Sequence, residues 1–300
     1  MSEHAPSRPL IGWIGCGKLG QPMAEHLIAA GHPLQIYDLD IGARHALDSR
    51  GARPVDSVAA ACASASVVFS SLPDDAAVTA VACGEHGVLN HLAPGAIFVE
   101  TSTVSPTASM RVAEHAARVQ RAYLRVAVSG NPVLARAAQL TAFASGAASD
   151  YERIEPLLST FSKRVFRVGE AEQARTLKLV INLMIAISAG MLGEALALGE
   201  KGGLDWHQML EVISESAVGS PMVKYKAPPL EARDYTSTFS CAQMAKDLDL
   251  ILGASAQFGA PVPMAAHMRQ VYEALMASGS GGDDYIATVH HAERLAGLRP

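Results

Sequence analysis

The sequence predicts an α/β domain with a doubly wound parallel sheet, joined by a long helix to an all-α domain. Three observations predict it. Short, almost wholly apolar strands alternate with helical stretches through the first half. Strand patterns stop after about residue 170. Residues 171–201 then read as one long helix. A chain of 300 residues has the length of about two domains.

Taken in order, the strands are "LIGWI" (10–14), "LQIYD" (34–38), "VVFSS" (67–71), "IFVET" (97–101), "YLRVAV" (123–128), "LTAFAS" (140–145) and "RVFRV" (164–168). Segments with helical spacing lie between the early ones, such as "KLGQPMAEHLIAAG" and "PTASMRVAEHAARVQ". Strands this apolar are buried on both faces, as in a parallel sheet covered by crossover helices. Gly202 and Gly203 stop the long helix. Further helices are expected at 205–217, 240–258, 262–277 and 283–296, with "APPLEARDY" and "GAPVP" as separators and "SGSGGDD" as a short flexible turn. The domains are therefore 1–168 and 169–300.

Composition narrows the function. The net charge of −5 argues against a nucleic-acid surface. Cys16, Cys62, Cys83 and Cys241 are scattered, as reduced thiols of a cytoplasmic protein are. The polar "MSEHAPSRPL" lacks the apolar core of a signal peptide. The apolar run from 177 to 199 contains Lys178, Asn182 and Glu194, so a buried helix is expected rather than a membrane span. Eleven histidines form no HExxH or comparable cluster, and no metal site is expected.

The first strand runs into Gly15-Cys16-Gly17-Lys18-Leu19-Gly20, a GxGxxG loop that opens a helix. Gly15 permits the tight turn, Gly17 lets a pyrophosphate approach the backbone, and Gly20 lets helix and strand pack closely. The helix N-terminus offers free N–H groups to the phosphates, beside Lys18 and Leu19. The second strand ends at Asp38, where a carboxylate accepts from ribose hydroxyls and repels a 2′-phosphate. NAD is thus the expected cofactor of this Rossmann-type domain, with NADP possible because Arg44 is near.

Two loops end strands at the carboxyl edge, where ligands of open α/β sheets bind. "VETSTVSP" places Ser102 and Thr103 there, while Ser105 before Pro106 reads as a helix N-cap. "VAVSGNPVLARAAQL" offers the Ser129 hydroxyl and the N–H groups of Gly130 and Asn131 to a small anion such as a substrate carboxylate.

Lys178 and Asn182 lie four apart and share a helix face. Three readings of the lysine stay open: it snorkels to water, pairs with a carboxylate, or points into a cleft between the domains. In the last case it is a proton donor or acceptor, and Asn182 holds a hydroxyl or carbonyl oxygen.

Together these motifs resemble the β-hydroxyacid dehydrogenase family, which includes 3-hydroxyisobutyrate dehydrogenase and is related to 6-phosphogluconate dehydrogenase. The likeness covers nearly the whole chain: the glycine loop, "ETSTVSP", "VSGN", Lys178 with Asn182, and the later "KDL" of Lys246-Asp247-Leu248. It implies a hydride transfer between the nicotinamide and a small β-hydroxyacid or its semialdehyde. Lys178 would be the general acid/base and Asn182 would orient the substrate. Ser129 and Gly130 would hold the carboxylate, Ser102 would line the pocket, and Thr103 and Lys246 would approach the cofactor. The resemblance also implies a homodimer or homotetramer.

Departures from the family pattern are Glu100 for aspartate, Arg125-Val126-Ala127 for Asp-Ala-Pro, and Asn131, Ala138, Glu172 and Ala174 for glycines. They lead us to expect an altered substrate pocket. The alternatives are an imine reductase on the same scaffold, against which the retained lysine argues, and a non-enzymatic nucleotide-binding protein.

Overall fold

The structure is a computed structural model and describes residues 8–298. Two compact units divide within one helix, the first ending at Lys178 and the second beginning at Leu179.

The first unit runs β1 (Ile11–Ile14), α1 (Gly20–Ala29), β2 (Leu34–Tyr37), α2 (Ile41–Asp48), β3 (Arg53–Pro54), α3 (Val58–Cys62), β4 (Val67–Ser70), α4 (Asp75–Cys83), α5 (Val88–His91), β5 (Ile97–Glu100), α6 (Pro106–Arg118), β6 (Ala122–Ser129), α7 (Pro132–Arg136), β7 (Leu140–Ser145), α8 (Ala148–Leu158) and β8 (Ser162–Gly169). The strands form one sheet in the order β3-β2-β1-β4-β5-β6-β7-β8. Successive side chains of a strand face opposite ways, and here both faces are apolar. Trp13, Ile36, Phe69 and Val99 join one core with Met23 and Leu27 of α1. Ile14, Val68 and Phe98 join the other with Val78 and Val112.

Two features of this unit depart from the sequence expectation. β7 runs antiparallel to β6, with Arg125 opposite Ser145 and Ser129 opposite Thr141. The link from Gly130 to Gln139 is too short for the crossover that parallel strands need. β3 is an edge strand of two residues, one of them proline, and carries no apolar run to announce it.

The second unit begins inside α9 (Gln173–Lys201) and continues through α10 (Trp206–Glu215), α11 (Pro221–Glu231), α12 (Cys241–Phe258), α13 (Pro263–Ala277) and α14 (Thr288–Leu295). α9 is long and apolar enough, by length and composition, to cross a membrane. Its Leu179, Ala186, Ala189 and Leu196 instead pack with Leu248 and Ile251 of α12 and Met268 and Tyr272 of α13. The "APPLE" stretch, expected to separate helices, is the last part of α11 and includes Pro228 and Pro229. Burial of Val223, Ala227 and Leu230 on one face outweighs the two missing donors. Asp284 caps the 3-10 turn Tyr285–Ala287 and also pairs with buried Lys226 at 2.7 Å.

Candidate active site

The parallel register levels the ends of the central strands: Ile14 lies opposite Ser70, Ser70 opposite Glu100, and Glu100 opposite Arg125. The loops that leave this edge carry most of the residues singled out in the sequence.

At β1, Gly15 takes φ +92° and turns tightly under Ser71, whose carbonyl oxygen would lie 2.2 Å from an added Cβ. Gly20 packs equally closely on the Gly15 carbonyl. Gly17 differs, since a Cβ there would meet nothing within 4 Å. Its side of the loop is open, as an approaching pyrophosphate requires. Leu19 sits at the N-cap of α1 without a side-chain cap, and no acidic residue occupies the first turn. Pro22 has no N–H and the Gln21 N–H is taken by the Gly17 carbonyl at 2.9 Å, so the first turn offers a phosphate the Gly20 N–H and the positive end of its dipole. Lys18 is exposed beside it.

Asp38 follows β2. Its Oδ2 accepts from the Cys16 N–H at 2.5 Å and its Oδ1 from the Asp40 N–H at 2.8 Å. The carboxylate is thus fixed against the glycine loop. Burial, with the Asp38 charge beside it, pushes the Cys16 thiol up to about 12, so the cysteine in the loop stays protonated. These features fit a dinucleotide: open backbone at Gly17, an uncapped helix end, and an oriented acid after the second strand.

Ser102 is buried at the end of β5. Its Oγ accepts from the Leu72 N–H at 2.7 Å, leaving its own hydrogen to donate. The Ser102 N–H donates to Glu100 Oε1 at 2.7 Å, and its carbonyl accepts from Arg175 Nη1 at 2.9 Å. Glu100 and Arg175 form an ion pair with both side chains fully buried. Burial opposes the Arg175 charge, but Glu100, with lesser help from Tyr123 and Glu172, overcomes it and holds the guanidinium above its ordinary pKa. Ser105 caps α6 as expected, accepting from the Ala108 N–H at 3.0 Å, and also donates to Asp75.

Ser129 ends β6 half-buried, followed by exposed Gly130 at φ +139°. Asn131 turns its Oδ1 onto the Leu134 N–H at 3.0 Å and caps α7, with Pro132 at the first helical position. The side chain that departs from the family glycine is therefore engaged with its own helix. His26 of α1 reaches the Ala135 carbonyl at 2.9 Å and ties α7 to the helix behind the glycine loop. Arg125 meets Glu172 at 2.7 Å, so two of the departures contact each other.

On α9, Lys178 is half-buried and Asn182 buried. Within the second unit Asn182 Nδ2 donates to Asp247 Oδ2 at 2.5 Å, which turns the amide oxygen away from the acid. Lys246 Nζ lies 2.9 Å from the other oxygen of Asp247. The sequence reading took Lys246 from this motif and missed Asp247, although a carboxylate among apolar residues of α12 was a signal. It also missed Arg175, a charged residue one turn before Lys178 in a helix otherwise poor in charge. Among the described residues no group of His, Cys, Asp and Glu is placed to hold a metal ion.

Residues 10–169 match the family described as the NAD binding domain of 6-phosphogluconate dehydrogenase. Residues 173–292 match the one described as NAD-binding of NADP-dependent 3-hydroxyisobutyrate dehydrogenase. The 2-(hydroxymethyl)glutarate dehydrogenase of Eubacterium barkeri is 32% identical over 96% of this chain and 96% of its own. The NAD-dependent L-serine dehydrogenase of Pseudomonas aeruginosa is 32% identical over 92% of this chain and 95% of its own. Among solved structures, Mycobacterium tuberculosis 3-hydroxyisobutyrate dehydrogenase with L-serine has a TM-score of 0.86 at 28% identity, covering 95% of this chain and 99% of that one.

Proposed function

This chain belongs to the β-hydroxyacid dehydrogenase family, and we propose that it oxidises a small β-hydroxyacid, or reduces the matching semialdehyde, with Lys178 as general acid/base. It is an NAD(P)-dependent oxidoreductase acting on a CH–OH group. The observation that carries the mechanism is the pairing on α9. Lys178 and Asn182 stand one turn apart, and Asp247 fixes the amide of Asn182.

The residues that would hold the cofactor are Gly15, Gly17, Lys18, Leu19, Gly20 and Asp38, with Thr103 and Lys246 approaching it. When bound, the nicotinamide supplies the hydride acceptor in oxidation and the hydride donor in reduction. Ser129 and Gly130 bind the substrate carboxylate through a hydroxyl and a backbone N–H. Asn182 accepts from, or donates to, the reacting oxygen. In oxidation Lys178 takes the hydroxyl proton as the C–H bond breaks; in reduction it returns that proton to the new alkoxide. Ser102 keeps a donor hydrogen for the same pocket.

Four free cysteines support a reducing, cytoplasmic setting. An apolar stripe supports a homodimer or homotetramer. Val180, Met184, Met191 and Leu198 are exposed, and their spacing puts them on one line along α9. Sedimentation should show an assembly, and Met184→Glu with Met191→Glu should break it if the stripe forms the interface.

The test of function is NADH and NADPH formation on a panel containing L-serine, 3-hydroxyisobutyrate and 2-(hydroxymethyl)glutarate. One member should turn over, and Lys178→Ala should slow it by about 10²–10⁴-fold with cofactor affinity retained. Full turnover by that variant would remove the lysine from the chemistry. Reduction of cyclic imines with no activity on any hydroxyacid would favour an imine reductase.

A further inference from the structure

We propose that the Glu100–Arg175 pair is a positioning device for the reaction, holding Ser102 and the first turn of α9 in fixed relation. The inference rests on the hydroxyacid reading above.

Arg175 spends its whole guanidinium on groups of β5, β6 and α6 and on Ser102. Nη1 donates to the carbonyls of Ser102 and Val126, each at 2.9 Å. Nη2 donates to the Glu100 carbonyl at 3.1 Å, to the Glu100 carboxylate and to Tyr123 Oη at 3.4 Å. Nε donates to Ser109 Oγ at 3.3 Å. One side chain therefore ties α9 to the end of β5, to Tyr123 and Val126 of β6, and to α6. Glu100 completes the clamp from the other side through the Ser102 N–H. The peptide groups on both sides of the Ser102 side chain are gripped by a single ion pair.

The same pair fixes the base of Lys178. Residues three apart on a helix are neighbours, and Lys178 lies three residues beyond Arg175. Fixing the first turn of α9 to the strand ends thus sets where that lysine starts. A buried ion pair is a poor way to gain stability, since an apolar pair of similar volume often does as well. Its forked geometry is what an apolar pair cannot supply. That contrast points to placement of the hydroxyl and the proton-transfer lysine as the role of the pair.

The experiment compares wild type with Arg175→Lys and with the double variant Glu100→Gln/Arg175→Met, which removes both charges and keeps the volume. The double variant guards against a single variant that leaves one charge buried and fails to fold. Three quantities are read: kcat and KM on the substrate found above, the dissociation constant of NADH, and amide hydrogen exchange at residues 100–104 and 173–179. The double variant should keep its NADH affinity, while its melting temperature falls because the buried carbonyls of Glu100, Ser102 and Val126 lose their donor. Its kcat should fall about 100-fold, the scale of a small misplacement of reacting groups. Exchange should rise at both segments, and Arg175→Lys should recover only part of kcat. A double variant with wild-type kcat and unchanged exchange would make the pair plain packing and overturn the proposal. If wild type turns over no hydroxyacid, the functional reading fails by itself, and unchanged exchange would still overturn the clamp.

Discussion

Arg125 and Glu172 meet at 2.7 Å, an ion pair between two positions where the family pattern has other residues. Arg125 also lies over the Tyr123 ring at 4.8 Å. Each of the two departures supplies the other with a partner of opposite charge. Glu100 lies opposite Arg125 in the sheet and pairs with Arg175, so four charges gather before the loop that follows β6. Removing either member strands a partly buried charge, whereas removing both does not. Arg125→Ala and Glu172→Ala should each destabilise by about 1–3 kcal/mol, with a coupling energy of about 0.5–3 kcal/mol in a double-mutant cycle. Urea denaturation of the four proteins measures it. Additive losses would mean that the two side chains are neighbours without energetic coupling.

Asp247 and Asn182 supply the second prediction. The acid is 1% exposed and the amide 4%. Asp247→Ala leaves the Asn182 Nδ2 without its acceptor, at a cost of about 1–3 kcal/mol. On the proposed mechanism it also frees the amide to rotate, so that either end can face the reacting oxygen. kcat should drop about tenfold, or ~1.4 kcal/mol in barrier, with cofactor affinity unchanged. Asp247→Asn, which retains an acceptor oxygen, should recover much of the stability. Loss of stability with unaltered kcat would make Asp247 structural only.

The third prediction concerns cofactor choice. The Asp38 carboxylate is held by two backbone N–H groups after β2. Arg44 lies over the Tyr37 ring at 5.7 Å and contacts Asp56 at 3.8 Å. Asp38→Ser removes a negative charge that would face a 2′-phosphate and leaves the arginine in place. The ratio of kcat/KM for NAD to that for NADP should fall at least tenfold, equivalent to about 1.4 kcal/mol. An unchanged ratio would take Asp38 out of ribose recognition.

The order of elements and the glycine loop were legible in the sequence because each rests on local physics. Apolar strands, helix caps and GxGxxG need no knowledge of distant residues. Asp38 was legible because its distance from the loop is set by one βαβ unit. The roles of Arg175, Glu172 and Asp247 were not, since each depends on a partner far along the chain. Arg175 joins Glu100 across 75 residues and Asp247 joins Asn182 across 65. No periodicity encodes such pairs. The reversal of β7 was hidden for a related reason: its apolar pattern is the same in either direction, and only the short link decides.

Alkaline pH should destabilise the fold through buried thiols. Burial pushes Cys16, Cys62 and Cys241 each from 9.0 up to about 12. Above pH 9 the unfolded thiols lose protons that the folded ones keep until about pH 12. The unfolded state then binds fewer protons, so stability falls as pH rises through that window. Each thiol contributes up to about 1.4 kcal/mol per pH unit. Buried tyrosines such as Tyr123 are also raised and act in the same direction. Denaturation midpoints at increasing pH should therefore fall, and Cys62→Ala should flatten the slope. An unaltered slope in that variant would mean that Cys62 does not contribute.

Ala138 carries the last prediction. It sits at φ +54°, where an L side chain is strained. The position ends α7 in a Schellman motif: the Ala138 N–H donates to the Ala135 carbonyl at 3.1 Å and the Gln139 N–H to the Leu134 carbonyl at 2.8 Å. Glycine is the usual residue there, and the family pattern has one. Ala138→Gly relieves the left-handed strain and loses part of the gain to the greater entropy of the unfolded chain. The net effect should be a stabilisation of about 0.5–1 kcal/mol. α7 follows Ser129 and Gly130 through its N-cap Asn131, and on the function proposed above the variant leaves those groups in place. Thermal denaturation should show a higher midpoint while KM stays as in wild type. A lower midpoint would mean that the Ala138 methyl makes a packing contribution larger than its strain.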